Sequence, residues 1–110
     1  MDLSNELTLV SYTYEKDSKG VDRPVPVKRT VFCGVESVSA SEFFAAAAAG
    51  LKPELRFTMF RFDYEPTCEE ECIFEDQYYS IYRSYRVKND QIELYAQKKV
   101  GVNGVQNKTD

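Results

Sequence analysis

The chain has no histidine. That removes the usual general base of catalytic triads and the commonest metal ligand, so few enzyme classes are left. Glycine motifs that cradle phosphate are missing as well: the sequence has no Gly-rich loop ending in Lys-Ser/Thr and no G-x-G-x-x-G. Positive charge is in short supply. Eighteen acidic residues face 14 basic ones for a net charge of −4, which argues against an affinity built on neutralising a nucleic-acid backbone. No apolar run approaches the roughly 18 to 20 residues needed to cross a bilayer. Met1 to Val10 lacks the basic start and apolar stretch of a signal peptide, so the chain is expected in the cytosol when made, with no membrane partner. Cysteine is sparse: Cys33, Cys68 and Cys72 are an odd number, which fits reduced thiols better than a disulfide framework.

Little chemistry survives those absences. Cys68-Glu69-Glu70-Glu71-Cys72 could offer thiolates and carboxylates to a thiophilic ion, but the spacing is not that of a zinc knuckle and no second pair exists. An acidic turn with Cys72 half buried is the simpler reading. A hydrated loop likewise accounts for the carboxylates from Glu69 to Asp76 more simply than an opposed glycosidase pair. No catalytic, cofactor-binding or metal-binding residue is therefore assigned, and no cofactor is expected.

Aromatics are what the chain does have, with eight Tyr and seven Phe but no Trp, a composition suited to half-buried strands and contact surfaces. At 110 residues and 43% hydrophobic content, one core is expected. Glu6 to Tyr14 reads as a first strand, Glu15 to Pro26 as an exposed loop, and Val27 to Val38 as a second strand in which Gly34 marks a bulge or a close backbone approach. Ser39-Ala40-Ser41-Glu42 then matches a capping box, with the Ser39 hydroxyl on the Glu42 amide and the Glu42 carboxylate reaching back to the Ser39 amide. A short helix follows through Phe43, Phe44 and five alanines, until Gly50 stops it and Pro53 forbids resumption.

From Glu54 to Tyr64 the pattern is apolar on both faces of a strand: Leu55, Phe57 and Met59 on one, Phe60, Phe62 and Tyr64 on the other. Either a bulge near Met59 swaps the faces, or one set fills the core while the other is covered by the helix or another chain. Glu65 to Glu71 reads as a turn, Cys72 to Phe74 as a short strand, and Asp76-Gln77 as a hairpin turn. Tyr78 to Val87 sets Tyr79, Ile81, Arg83, Tyr85 and Val87 against Tyr78, Ser80, Tyr82, Ser84 and Arg86. Gln91 to Val100 sets Ile92, Leu94 and Ala96 against Glu93, Tyr95 and Gln97. The expected fold is mainly β: a small antiparallel β-barrel of about six strands, or a sandwich, with one short helical insertion between the second and third strands. Residues 1–101 form the domain in this reading, and 102–110 a flexible polar tail.

The stretch from Arg29 to Ala46, with Gly50-Leu51-Lys52-Pro53-Glu54, resembles the head-closure (stopper, or head-tail joining) proteins of tailed double-stranded DNA bacteriophages. The similarity continues through Phe57 to Tyr64, Tyr78-Tyr79-Ser80-Ile81-Tyr82-Arg83 and Ile92-Glu93-Leu94-Tyr95, and so spans nearly the whole domain. It implies a small barrel that joins its own copies, typically about twelve, in a ring in the virion neck. A portal-adaptor protein lies above that ring and a tail-completion or tail protein below. The ring closes the portal channel after packaging and touches genomic DNA without reading its sequence. The resemblance also implies residence in the bacterial host cytoplasm before assembly.

In such proteins the insertion after the second strand projects toward the channel. Here it corresponds to Ser39 to Lys52, with Ser39, Ser41, Glu42, Phe43, Phe44, Gly50, Leu51 and Lys52 as candidate channel-facing positions. Phe60, Phe62, Tyr78, Tyr82 and Tyr95 are the candidate contacts with other subunits or neck proteins. A small β-barrel that binds a ligand or acts as an adaptor, without catalysis, is the rival reading, and a thiol enzyme using Cys68 and Cys72 is a third.

Overall fold

A computed structural model describes residues 2–99. Strands β1 (Asn5–Lys16), β2 (Asp22–Ser37), β3 (Pro53–Phe60), β4 (Glu71–Phe74), β5 (Gln77–Lys88) and β6 (Gln91–Lys98) close into an antiparallel barrel in the order β1-β2-β3-β6-β5-β4. Helix α1 (Ala40–Ala48) is inserted between β2 and β3, and one 3₁₀ turn (Arg61–Asp63) follows β3. No helix among the described residues is long and apolar enough to cross a membrane. The tail assigned to 102–110 lies outside the described residues.

Alternation along the strands fills the barrel. Leu7 and Leu9 of β1, Val31 and Cys33 of β2, Phe57 and Met59 of β3, Cys72 of β4, Tyr79 of β5, and Ile92, Leu94 and Ala96 of β6 form one buried cluster. Phe57 is its largest fully buried side chain and meets Phe74 and Tyr79 edge to face, with ring centres 5.6 and 6.1 Å apart. Cys33 and Cys72 both lie in this core while Cys68 is exposed, so Cys72 is fully rather than half buried. Burial pushes the Cys33 thiol up to about 11 and the Cys72 thiol up to about 12.

Several expectations need correcting. The stretch from Glu15 to Pro26 is not a loop, because β1 and β2 stay in register out to Lys16 opposite Asp22 and only 17–21 turn. Asp17 organises that turn by accepting the amides of Lys19 and Val21 at 2.8 and 3.0 Å, and these bonds hold its carboxyl below the usual range. Pro24 and Pro26, read as breakers, are tolerated because they stand two residues apart. Both missing donors therefore point away from β1, and the ladder passes them intact.

The third strand ends at Phe60 rather than Tyr64, and the 3₁₀ turn carries Phe62 outward while Tyr64 swings into the core. Its double-faced pattern thus needs no bulge at Met59: Phe57 and Met59 face inward, and Phe60 and Phe62 stay 41% and 66% exposed. The hairpin turn after β4 falls one residue earlier than expected, at Glu75-Asp76, both with positive φ (50° and 64°) as a tight primed turn demands. Gly34 serves the close approach: a Cβ there would meet the Asp2 carbonyl oxygen at 2.6 Å.

Candidate functional site

The insertion is built by local chemistry at both ends. Ser39 caps α1 by accepting the Glu42 amide at 3.2 Å, with the Ser41 hydroxyl 3.3 Å from its own. At the far end Gly50, at φ 82°, receives the chain in the left-handed region. Its amide and that of Leu51 bond back to Ala47 and Ala46 at 3.0 Å each, the paired bonds of a Schellman stop. Lys52 is exposed, and its amide donates to the Gln97 side chain at 3.0 Å.

Only Ala46 of the helix is buried, whereas Phe43 and Phe44 are 44% and 70% exposed and stack edge to face on each other. Apolar burial therefore does little to hold α1 on the barrel. Glu42 does more. Its carboxylate does not close the capping box on Ser39; it crosses to β5, accepting the Tyr82 hydroxyl at 2.9 Å and pairing with the Arg83 guanidinium. Burial and the carboxylate together raise the Tyr82 phenol, and the same carboxylate holds the Arg83 proton more firmly.

A bulge sets this latch. The β5–β6 register shifts between Ile81 and Arg83, so that Ile81 faces Ala96 but Arg83 faces Tyr95 and Tyr85 faces Glu93. Strict alternation would put Arg83 and Tyr85 inside with Tyr79 and Ile81; the extra residue, Tyr82, turns them outward. Arg83 then lies 5.8, 5.2 and 5.6 Å from the ring centres of Tyr82, Tyr85 and Tyr95. Tyr95, expected as a subunit contact, is on the outer face as expected but is only 7% exposed, because these neighbours cover it. Its hydroxyl donates to Glu93 at 2.9 Å, and Arg56 of β3 stands between Glu93 and Glu36.

The predicted contact residues thus fall in separate places. Phe60 and Phe62 are exposed beside the turn after β3, Tyr78 and Tyr82 are half-buried, and Tyr95 is buried under the latch. Exposed side chains that the sequence reading passed over include Phe32 on β2, Tyr85 on β5, and Tyr12 and Tyr14 on β1. An odd aromatic in an exposed strand position is the signal that could have marked Phe32, whereas Tyr85 depends on the bulge.

A second polar cluster closes the opposite side of the wall. Arg29 projects inward from β2 and donates to Glu69 at 2.8 Å, to the Thr67 hydroxyl at 2.7 Å and to the Asp63 carbonyl. The Tyr64 hydroxyl donates to the Glu69 carbonyl at 2.7 Å, so the segment 61–70 is pinned over the core as a lid. Burial alone would raise the Glu69 carboxyl, but bonds from Arg29 and Thr67 outweigh it and hold the carboxyl below its ordinary value. Cys68 and Cys72 point to different environments, and no group of three or more Cys, Asp or Glu side chains converges on one point among the described residues.

No family model matches the chain, and no curated protein does.

Proposed function

We propose that this chain is a structural subunit of a tailed-phage neck: a head-closure protein that rings the portal channel after packaging and offers a docking face to the tail. The observation that carries the reading is the pairing of a filled, closed barrel with a self-contained helix between β2 and β3 that is latched by polar bonds and shows Phe43 and Phe44 to solvent. A ring subunit needs a rigid body and apolar surface on more than one side, and Phe60 and Phe62 supply a second patch away from the helix. Its role is one of contact rather than catalysis.

In this reading the partners are other copies of the chain, a portal-adaptor above and a tail-completion or tail protein below. Genomic DNA passes without sequence-specific contact, and the acidic balance keeps phosphates from sticking. The protein works in the virion neck and is made in the host cytoplasm. A ligand-binding barrel fits less well, because Phe57, Met59 and Leu94 at 0% exposure fill the interior where a ligand would sit.

Binding of the purified chain to the cognate portal-adaptor complex, followed by mass and by imaging, tests the proposal; repeated failure to bind overturns it. Deleting Phe44 to Gly50 is expected to leave a folded barrel and give particles that lose DNA. Filled, intact heads from that variant would remove the insertion from the closing role.

A further inference from the structure

Beyond Val10, β1 has a partner on one side only among the described residues. β4 pairs with Thr8 to Val10 and stops, while β1 runs on to Lys16 beside β2 as a two-stranded arm. The Asp17 amide donates to the Val21 carbonyl at 2.9 Å, which makes the odd-numbered residues of β1 the ones bonded to β2. The backbone groups of Tyr12, Tyr14 and Lys16 therefore point away from β2 and continue the row that Thr8 and Val10 give to β4. Across the arm, Pro24 and Pro26 remove the donors from the outer edge of β2, the device by which sheets block unwanted pairing. One edge of the arm is closed, and the other is open and flanked by two exposed tyrosines.

We infer that the open edge of β1 from Ser11 to Lys16 takes up a strand edge from a second copy of this chain, namely β5 from Ser84 to Lys88. Among the described residues that segment of β5 pairs with β6 alone, since β4 reaches only as far as Ser80, and its residues are exposed. Charge favours this partner. The groove along the β1 edge, about 270 Å³, is lined by Tyr12, Tyr14 and the exposed Glu70, and Glu15 lies on the strand itself, whereas the β5 edge carries the exposed Lys88; Glu69 and Glu71 in that groove already hold Arg29 and Lys99, and Arg86 on β5 already holds Glu65. Two unlike edges on one chain make a head-to-tail contact, the kind that generates rings. The inference specifies how copies meet in the proposed neck ring and takes its setting from that reading.

Sedimentation velocity of the full-length chain up to roughly 1 mM tests it. Wild type is expected to self-associate. Tyr14→Pro deletes one outward N–H while sparing every bond to β2, and it is expected to weaken association at least ~10-fold, with Tyr14→Val, which keeps the N–H, weaker by less. Lys88→Glu damages the other edge without touching the Arg86–Glu65 pair, and it should also weaken association.

Mixing the two damaged proteins leaves one sound junction, so a one-to-one complex that neither forms alone is expected. A wild type that stays monomeric throughout, a Tyr14→Pro protein that associates like wild type, or a mixture that forms no complex overturns the inference. Should Tyr14→Pro fail to fold by circular dichroism, the charge-reversed variant decides alone. Loss of portal-adaptor binding with self-association intact would instead strike the neck reading, and a monomer that still binds the complex would strike only the edge pairing.

Discussion

The barrel wall and the helix that leans on it are held by different forces. In the wall, Leu7, Leu9, Phe57, Met59 and Leu94 are all at 0% exposure, and each contributes roughly 1.5–3 kcal/mol of burial. The helix buries Ala46 and relies on Glu42, which bonds Tyr82 and Arg83. Apolar burial is non-directional and is lost only on unfolding, whereas a single charge-assisted contact can be exchanged for another of similar quality. The difference predicts that α1 can leave the wall without melting it. Its Ser39 cap and Gly50 stop are local to the insertion, while a helix of nine residues still needs docking contacts to stay formed.

The sharpest way to break the comparison is Phe57→Ala. It should cost about 3–5 kcal/mol in urea denaturation, because the ring is fully buried and meets Phe74 and Tyr79 edge to face. A loss below about 1 kcal/mol would mean that the wall is not the rigid partner.

Glu69→Gln should come next, at about 1–3 kcal/mol, since it weakens the bonds to Arg29 and Thr67 that pin the lid. The sign of its pH dependence follows from the lowered carboxyl. The stabilisation is present above the ordinary glutamate value of about 4.3 and is lost as pH falls through the lower folded value. Acid titration of stability should therefore be shallower in Glu69→Gln than in wild type, and an unchanged acid limb would show that the lid is held otherwise.

Glu42→Gln separates the two regions directly. Amide exchange should rise across Ala40–Ala48 by about tenfold while Phe57, Met59 and Leu94 stay protected, because a latch worth about 1–2 kcal/mol is lost only on the helix. Exchange that rises equally in β3 and β6 would mean that helix and wall open as one unit. The smallest effect belongs to Ser39→Ala, about 1 kcal/mol at most, seen as fraying of the first helical turn with α1 still docked.

Much of the fold was legible in the residues. Alternation in β6 picked out Ile92, Leu94 and Ala96, and the cap and stop located α1 to within a residue or two. The arm was missed because Pro24 and Pro26 signal a loop whenever the free edge of their strand is unknown. The latch was missed because nothing local distinguishes Tyr82 as a bulge; the extra residue becomes visible only when Ile81 faces Ala96 and Arg83 faces Tyr95. Tyr95 looked available because alternation tells inside from outside but not whether an outer position is covered.

By itself the sequence determined the helix ends, the run of inward residues and the lack of a histidine-based centre, because caps, glycine conformations and side-chain types act within a few residues of where they stand. Only the tertiary structure decided where Glu42 spends its carboxylate, that Arg83 and Tyr85 turn outward, and that one edge of the arm is open while the other is closed by prolines. Those outcomes depend on which residues meet across the sheet, as with Tyr14 and Pro24 or Arg83 and Tyr95, and on a contact between elements 40 residues apart, that of Glu42 with Tyr82, all of them settled by the packing of the whole barrel.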